Sequence, residues 1–134
     1  IGNDLLGGGL GNDAITGGLG LDTFIFNTAL NATSNRDTIT DFNRTDDTIQ
    51  LSKAIFTAFN AMTPGTTITS DQFYSAAGAV RGNDSSDRII YNTSTGALFY
   101  DADGNGATAA IQFATLSNFA LVGVLDQSDF VVVG

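Results

Sequence analysis

The first residues read Ile1-Gly-Asn-Asp4-Leu-Leu6-Gly-Gly8-Gly-Leu10-Gly11-Asn-Asp13-Ala-Ile15-Thr-Gly17-Gly18-Leu-Gly20-Leu-Asp22-Thr-Phe24. Three columns keep one nine-residue period: glycine at 2, 11 and 20, aspartate at 4, 13 and 22, and a large apolar residue at 6, 15 and 24. Glycine permits positive φ and a tight backbone reversal. Each period therefore reads as a glycine turn closed by a carboxylate, followed by a three-residue strand with one inward apolar side chain. A flexible glycine linker has no reason to hold an aspartate column and an apolar column in register.

The composition narrows what such turns are for. All 14 acidic residues are aspartate, against five basic residues, for a net charge of −9. A solubility bias would draw on glutamate as well. Aspartate is the acid whose short arm suits tight turns and calcium loops. The negative balance disfavours nucleic acid and anionic membranes as partners. The chain has neither cysteine nor histidine, so it offers no disulfide, no thiolate site and no imidazole ligand or base. With 134 residues and 43% hydrophobic content, one domain with a modest core is expected. Residues 104–125 carry no charge, but interrupting glycines and amides make them strands and not a membrane span.

Beyond Phe26, Asn27–Asn35 reads as a polar loop. Asp37-Thr-Ile39-Thr-Asp41-Phe42 and Thr48-Ile49-Gln-Leu51 read as short alternating strands, with Asp46 and Asp47 as turn residues between them. A short helix is expected within Lys53–Met62 and a helical turn capped by Ser70. Arg88–Asn92, Ala97–Tyr100 and Ala109–Phe113 read as an antiparallel meander. Its second turn, Asp101-Ala-Asp103-Gly-Asn105-Gly106, resembles the first half of an EF-hand loop, but no glutamate follows to supply the bidentate ligand. Asp101, Asp103 and Asn105 are thus either a structural turn or an extra cation site.

The nonapeptides resemble the G-G-x-G-x-D-x-U-x calcium-binding repeat of repeats-in-toxin proteins. The D-x-I-x-D-F segment, the R-I-I-Y-N…L-F-Y-D-A-D-G-N-G hairpin and the D-F-V-V end extend the resemblance to the C-terminal domains of serralysin-type secreted proteases. The resemblance implies an all-β chain: a short parallel β-roll over 1–26, packed with an antiparallel β cap over 27–134 bearing one or two short helices. It implies Ca²⁺ held by the carbonyl of Ile1 with Asp4, and the carbonyls of Gly18 and Gly20 with Asp22. A second site would take the carbonyls of Gly8 and Leu10 with Asp13, and be completed by Asp37 and Asp41. The closing run Asp129-Phe130-Val131-Val132-Val133 is similar to an uncleaved type I secretion signal and also reads as a final strand.

The expected role is then a secreted, extracellular bacterial module without catalysis of its own, folding on calcium and handled by the type I export machinery. The metalloprotease signature H-E-x-x-H cannot be present without histidine. Ile1 sits mid-repeat, so further repeats and a functional domain are expected upstream as partners. The alternative is a carbohydrate-binding repeat module of the kind found in alginate epimerases. A glycosidase built on an aspartate pair is a third reading, weakened because 14 aspartates pair by accident.

Overall fold

The computed structural model describes residues 1–134. The chain forms β1 (Leu5–Leu6), β2 (Ala14–Ile15), β3 (Thr23–Phe26), β4 (Asp37–Ile39), β5 (Thr48–Ser52), β6 (Thr66–Thr67), β7 (Phe73–Ala76), β8 (Ile89–Asn92), β9 (Ala97–Tyr100), β10 (Ile111–Leu116) and β11 (Phe130–Val133). They make two mixed sheets, one ordered β1-β3-β5-β11-β6 and the other β2-β4-β10-β9-β8-β7. The fold is all-β.

From β1 to β5 successive strands alternate between the sheets, so each turn there carries the chain from one layer to the other. β1, β3 and β5 are parallel neighbours in one sheet, and β2 and β4 in the other. The parallel winding thus runs past Phe26, where the nine-residue spacing ends. The reason lies in the strand entries. Asp-Thr-apolar recurs at 22–24, 37–39 and 47–49, so the same edge chemistry starts each strand while the connecting loops change length. The C-terminal half joins in the same sense, β10 beside β4 and β11 beside β5, both parallel. The hairpins β8-β9 and β9-β10 are antiparallel.

Alternation puts one side chain per rung between the layers. Leu6, Phe24, Ile49 and Phe130 are in register across one sheet, and Ile15, Ile39 and Leu116 across the other. Phe24, Ile49, Phe130, Ile39 and Leu116 are completely enclosed, whereas Leu6 at the open first rung is half-buried. Phe113 meets Phe26 and Phe56 edge-on, with ring centroids 5.0 and 5.2 Å apart, which suits the aromatic quadrupoles.

The helical expectations shrink to single turns. Thr57–Phe59 and Ser70–Gln72 are 3₁₀ turns. The second is capped by Thr69 and not Ser70: Gln72 Oε1 accepts the Thr69 N–H at 2.9 Å. Within the stretch read as strands, Phe119–Val122 is one turn of α-helix, ended by Gly123 at φ +79°. No helix is long and apolar enough to cross a membrane.

Candidate metal centre

The two-layer winding leaves turns along two edges, and aspartates enter the strands there. On one edge, Asp4, Asp22 and Asp47 form a ladder. Asp4 donates its N–H to Asp22 Oδ1 at 2.9 Å, and Asp22 donates its N–H to Asp47 Oδ1 at 3.0 Å. On the other edge, Asp13 donates its N–H to Asp37 Oδ1 at 3.0 Å. Asparagines repeat the device one step earlier: Asn3 Oδ1 accepts the Leu21 N–H and Asn12 Oδ1 the Arg36 N–H. Each rung is thus tied to the next by a side-chain oxygen and by backbone bonds such as Thr23 N–H to the Asp4 carbonyl.

The ladder leaves oxygens over. Asp13 Oδ2 and Asp22 Oδ2 are buried without any hydrogen-bond partner. An unpaired buried carboxylate oxygen is costly and calls for a cation or donor. Room exists beside both. A methyl group added at Gly8 would stand 2.7 Å from Asp13 Oδ2 and 2.9 Å from Asp37 Oδ2, so the two carboxylates converge on the Gly8 backbone. A methyl at Gly17 would collide with Asp22 Oδ2. Bare glycine keeps those cradles open.

The carbonyls divide in an alternating way. Leu19 accepts the Gly2 N–H at 3.0 Å, and Gly9 accepts the Thr28 hydroxyl at 3.1 Å. The carbonyls of Ile1, Gly8, Leu10, Gly18 and Gly20 accept no turn or side-chain hydrogen bond. The carboxylates are strung along the edges, and no three acidic groups gather as a metal cluster. A cation here must therefore draw on carbonyls as well as carboxylates. Calcium, with six to eight oxygen ligands in tolerant geometry, fits that donor set.

Electrostatics point the same way. Burial, then the neighbouring Asp13 charge, pushes the Asp37 carboxyl above its ordinary range against the Asp13 N–H that lowers it. Burial likewise raises Asp47, opposed by the Asn43 and Asp22 N–H groups and reinforced by the Asp22 and Asp41 charges. Packed carboxylates resist ionisation unless a cation joins them.

Two placements differ from the sequence reading, those of Asp41 and Asp47, while Asp37 stands beside Asp13. Asp37 and Asp41 do not meet beside Asp13, because β4 carries the chain across its sheet and puts them at opposite ends. Asp41 instead accepts the Gly17 N–H at 2.9 Å and the Gly18 N–H at 2.7 Å, at the edge of Asp4 and Asp22. Asp47, read as a turn residue, is a buried rung of that ladder. Its signal was the Asp-Thr-apolar triplet it opens.

The remaining candidates lie off the two ladders, although Asp103 Oδ1 is likewise buried without a hydrogen-bond partner. Asp101 is buried and accepts the Gly82 N–H at 3.1 Å, while Asp103 Oδ2 accepts the Thr108 N–H at 2.9 Å, and that bond holds Asp103 below its usual range. Asn105 lines a groove on another face with Tyr74 and Arg81. Asp129, Phe130 and Val132 are buried, with Val131 and Val133 half-buried, all in or beside β11, which lies between β5 and β6. Arg44 ties the 40–47 turn to that strand, its guanidinium 3.3 Å from Asp126 and 3.8 Å from Asp129.

A search of curated proteins returns no match. The family model for the peptidase M10 serralysin C-terminal domain matches residues 2–87, which include every rung of both aspartate ladders. The chain belongs to the peptidase M10 serralysin C-terminal family.

Proposed function

We propose that this chain is a calcium-binding module without catalysis of its own, whose repeat turns become ordered when the ion arrives. It serves a secreted protein whose functional domain and further repeats precede it. The single observation that carries the reading is the pair of buried, unpartnered oxygens, Asp13 Oδ2 and Asp22 Oδ2, each against a bare glycine backbone. Family membership supports the calcium-repeat context, since serralysin C-terminal domains are the non-catalytic parts of secreted M10 proteases.

In this reading the alternating strands 5–26 are a short parallel β-roll. Asp4 and Asp22, with the carbonyls of Ile1, Gly18 and Gly20, serve one edge. Asp13 and Asp37, with the carbonyls of Gly8 and Leu10, serve the other. Asp41 is reassigned to the first edge, where it braces the Gly17-Gly18 turn. Bound calcium supplies positive charge and hard-oxygen coordination. The chain's own residues do the rest: they stack carboxylates, hold glycine turns at positive φ and bury an apolar column behind them.

Binding only to the folded form stabilises it by RT ln(1 + [Ca²⁺]/Kd), about 2.7 kcal/mol at a hundredfold excess over Kd. Extracellular-type sites bind at about 10⁻⁴ M, so cytosolic calcium leaves them empty and the chain open for type I export. The Asp129–Val133 signal is then read before β11 forms. Circular dichroism of the full chain checks the proposal. A coil-like spectrum after exhaustive chelation, converted to β by calcium, is expected; identical β spectra in both conditions overturn it.

A further inference from the structure

The hairpin Asp101–Gly106 is absorbed by neither ladder, yet it builds something. It packs backbone to backbone on the loop 78–83: a methyl at Gly82 would lie 2.6 Å from the Gly104 carbonyl oxygen. Buried Asp101 pins that loop through the Gly82 N–H. Asp87 holds the Asn83 N–H at 2.8 Å, and Asn92 Oδ1 holds the Gly78 N–H at 3.0 Å. Between the loops lies an open groove of about 460 Å³. That is within the usual span of small-molecule sites, about 300–1,000 Å³.

Four polar side chains line it: Tyr74, Arg81, Asn83 and Asn105. None of the four makes a side-chain hydrogen bond or ion pair within the chain, whose only salt bridges belong to Arg44. The other basic residues are occupied. Lys53 donates to the Met62 carbonyl, Arg88 to the Ser85 and Asp87 carbonyls, and Arg36 to Gln112. Arg81, exposed on a wall fixed by backbone contacts, is the one basic residue without a partner in the chain.

We propose that this groove is a binding site for a hexose unit of a neutral glycan. The two amides each present a donor and an acceptor, which matches hydroxyl groups that both give and accept hydrogen bonds. The guanidinium adds a fork of donors, and the half-buried Tyr74 ring offers an apolar face to sugar C–H groups. A polyanionic glycan does not suit the site. Arg81 is the one basic residue lining it, the loops that build it carry Asp84, Asp87, Asp101 and Asp103, and the chain's net charge is −9.

The test is a ¹H–¹⁵N NMR titration of the calcium-loaded full chain with maltose, cellobiose and chitobiose, beside glucuronate and N-acetyl-tetraalanine amide. At least one neutral disaccharide is expected to shift Tyr74, residues 78–83 and Asn105 saturably, with glucuronate and the peptide weaker. Arg81→Ala and Asn105→Ala each lower affinity about fivefold, the worth of roughly one hydrogen bond, while their spectra stay dispersed. No saturable shift with any of the three, shifts centred elsewhere, preference for glucuronate or the peptide, or unchanged affinity in both variants would overturn the proposal. Since the groove lies outside both ladders, these outcomes leave the calcium reading untouched.

Discussion

Gly8 and Gly20 belong to the same repeat pattern but answer different physical demands. Gly20 has φ +130° and faces the Gly2 carbonyl so closely that a methyl group would collide with it. Gly20→Ala should destabilise the calcium-loaded fold by about 2 kcal/mol or more, from backbone strain plus the clash, read as a lower thermal midpoint. Gly8 is not in the left-handed region, and its methyl would meet the side chains of Asp13 and Asp37, their Oδ2 atoms at 2.7 and 2.9 Å and the Asp13 Cβ at 2.9 Å. Gly8→Ala should therefore weaken calcium binding at least tenfold by calorimetry while leaving the chelated chain unchanged. Asp22→Asn makes a third case. The amide oxygen can still accept the Asp4 N–H now taken by Asp22 Oδ1, while the unpartnered Oδ2 is replaced by a donor. Calcium-induced stabilisation at that edge should be lost, and a variant that keeps wild-type calcium stabilisation would refute the role of Oδ2.

At the level of elements, the 40–47 turn links the ladder to the C-terminal strand. Asp41 and Asp47 grip the repeat turns, and Arg44 reaches Asp126 and Asp129 beside β11. Asp129 is buried and its carboxyl raised by that burial, against the pull of the Asp126 N–H and Arg44. Arg44→Ala should cost about 1 kcal/mol, the upper range for a partly exposed pair, and raise amide exchange in 130–133; unchanged exchange there would remove the link. Legibility from sequence follows the same division. The repeat strands, the inward column of Leu6, Ile15 and Phe24, and the meander could be read because period and burial coincide there. The Asp47 rung and the Asp41 position could not be read from a nine-residue period. The loops after Phe26 break the spacing, and only strand pairing shows which edge each residue reaches. The Tyr74–Asn105 groove had no local signal, since two loops 20 or more residues apart build it.

For the molecule as a whole, packed carboxylates make stability depend on pH with opposite signs with and without calcium. Asp37, Asp47 and Asp129 have folded values above the ordinary 3.8, so their ionised forms oppose folding at neutral pH. Folding of the chelated chain should strengthen as pH falls through those raised values toward 3.8. Below 3.8 the gain stops, because the raised carboxyls are then protonated in both states, and Asp84, Asp103 and Asp126, lowered by hydrogen bonds, lose the stability they gave above it. With saturating calcium the trend above 3.8 should reverse, since protons compete for the same oxygens. A β signal of the chelated chain that falls steadily on acidification from neutral pH would contradict the repulsion account. The most direct test of calcium-coupled order is hydrogen exchange of the full chain, resolved by segment, after exhaustive chelation and again with excess calcium. The account predicts that calcium turns residues 4–26, 37–52 and 130–133 from fast-exchanging to protected together; equal protection of these segments in both conditions would contradict it.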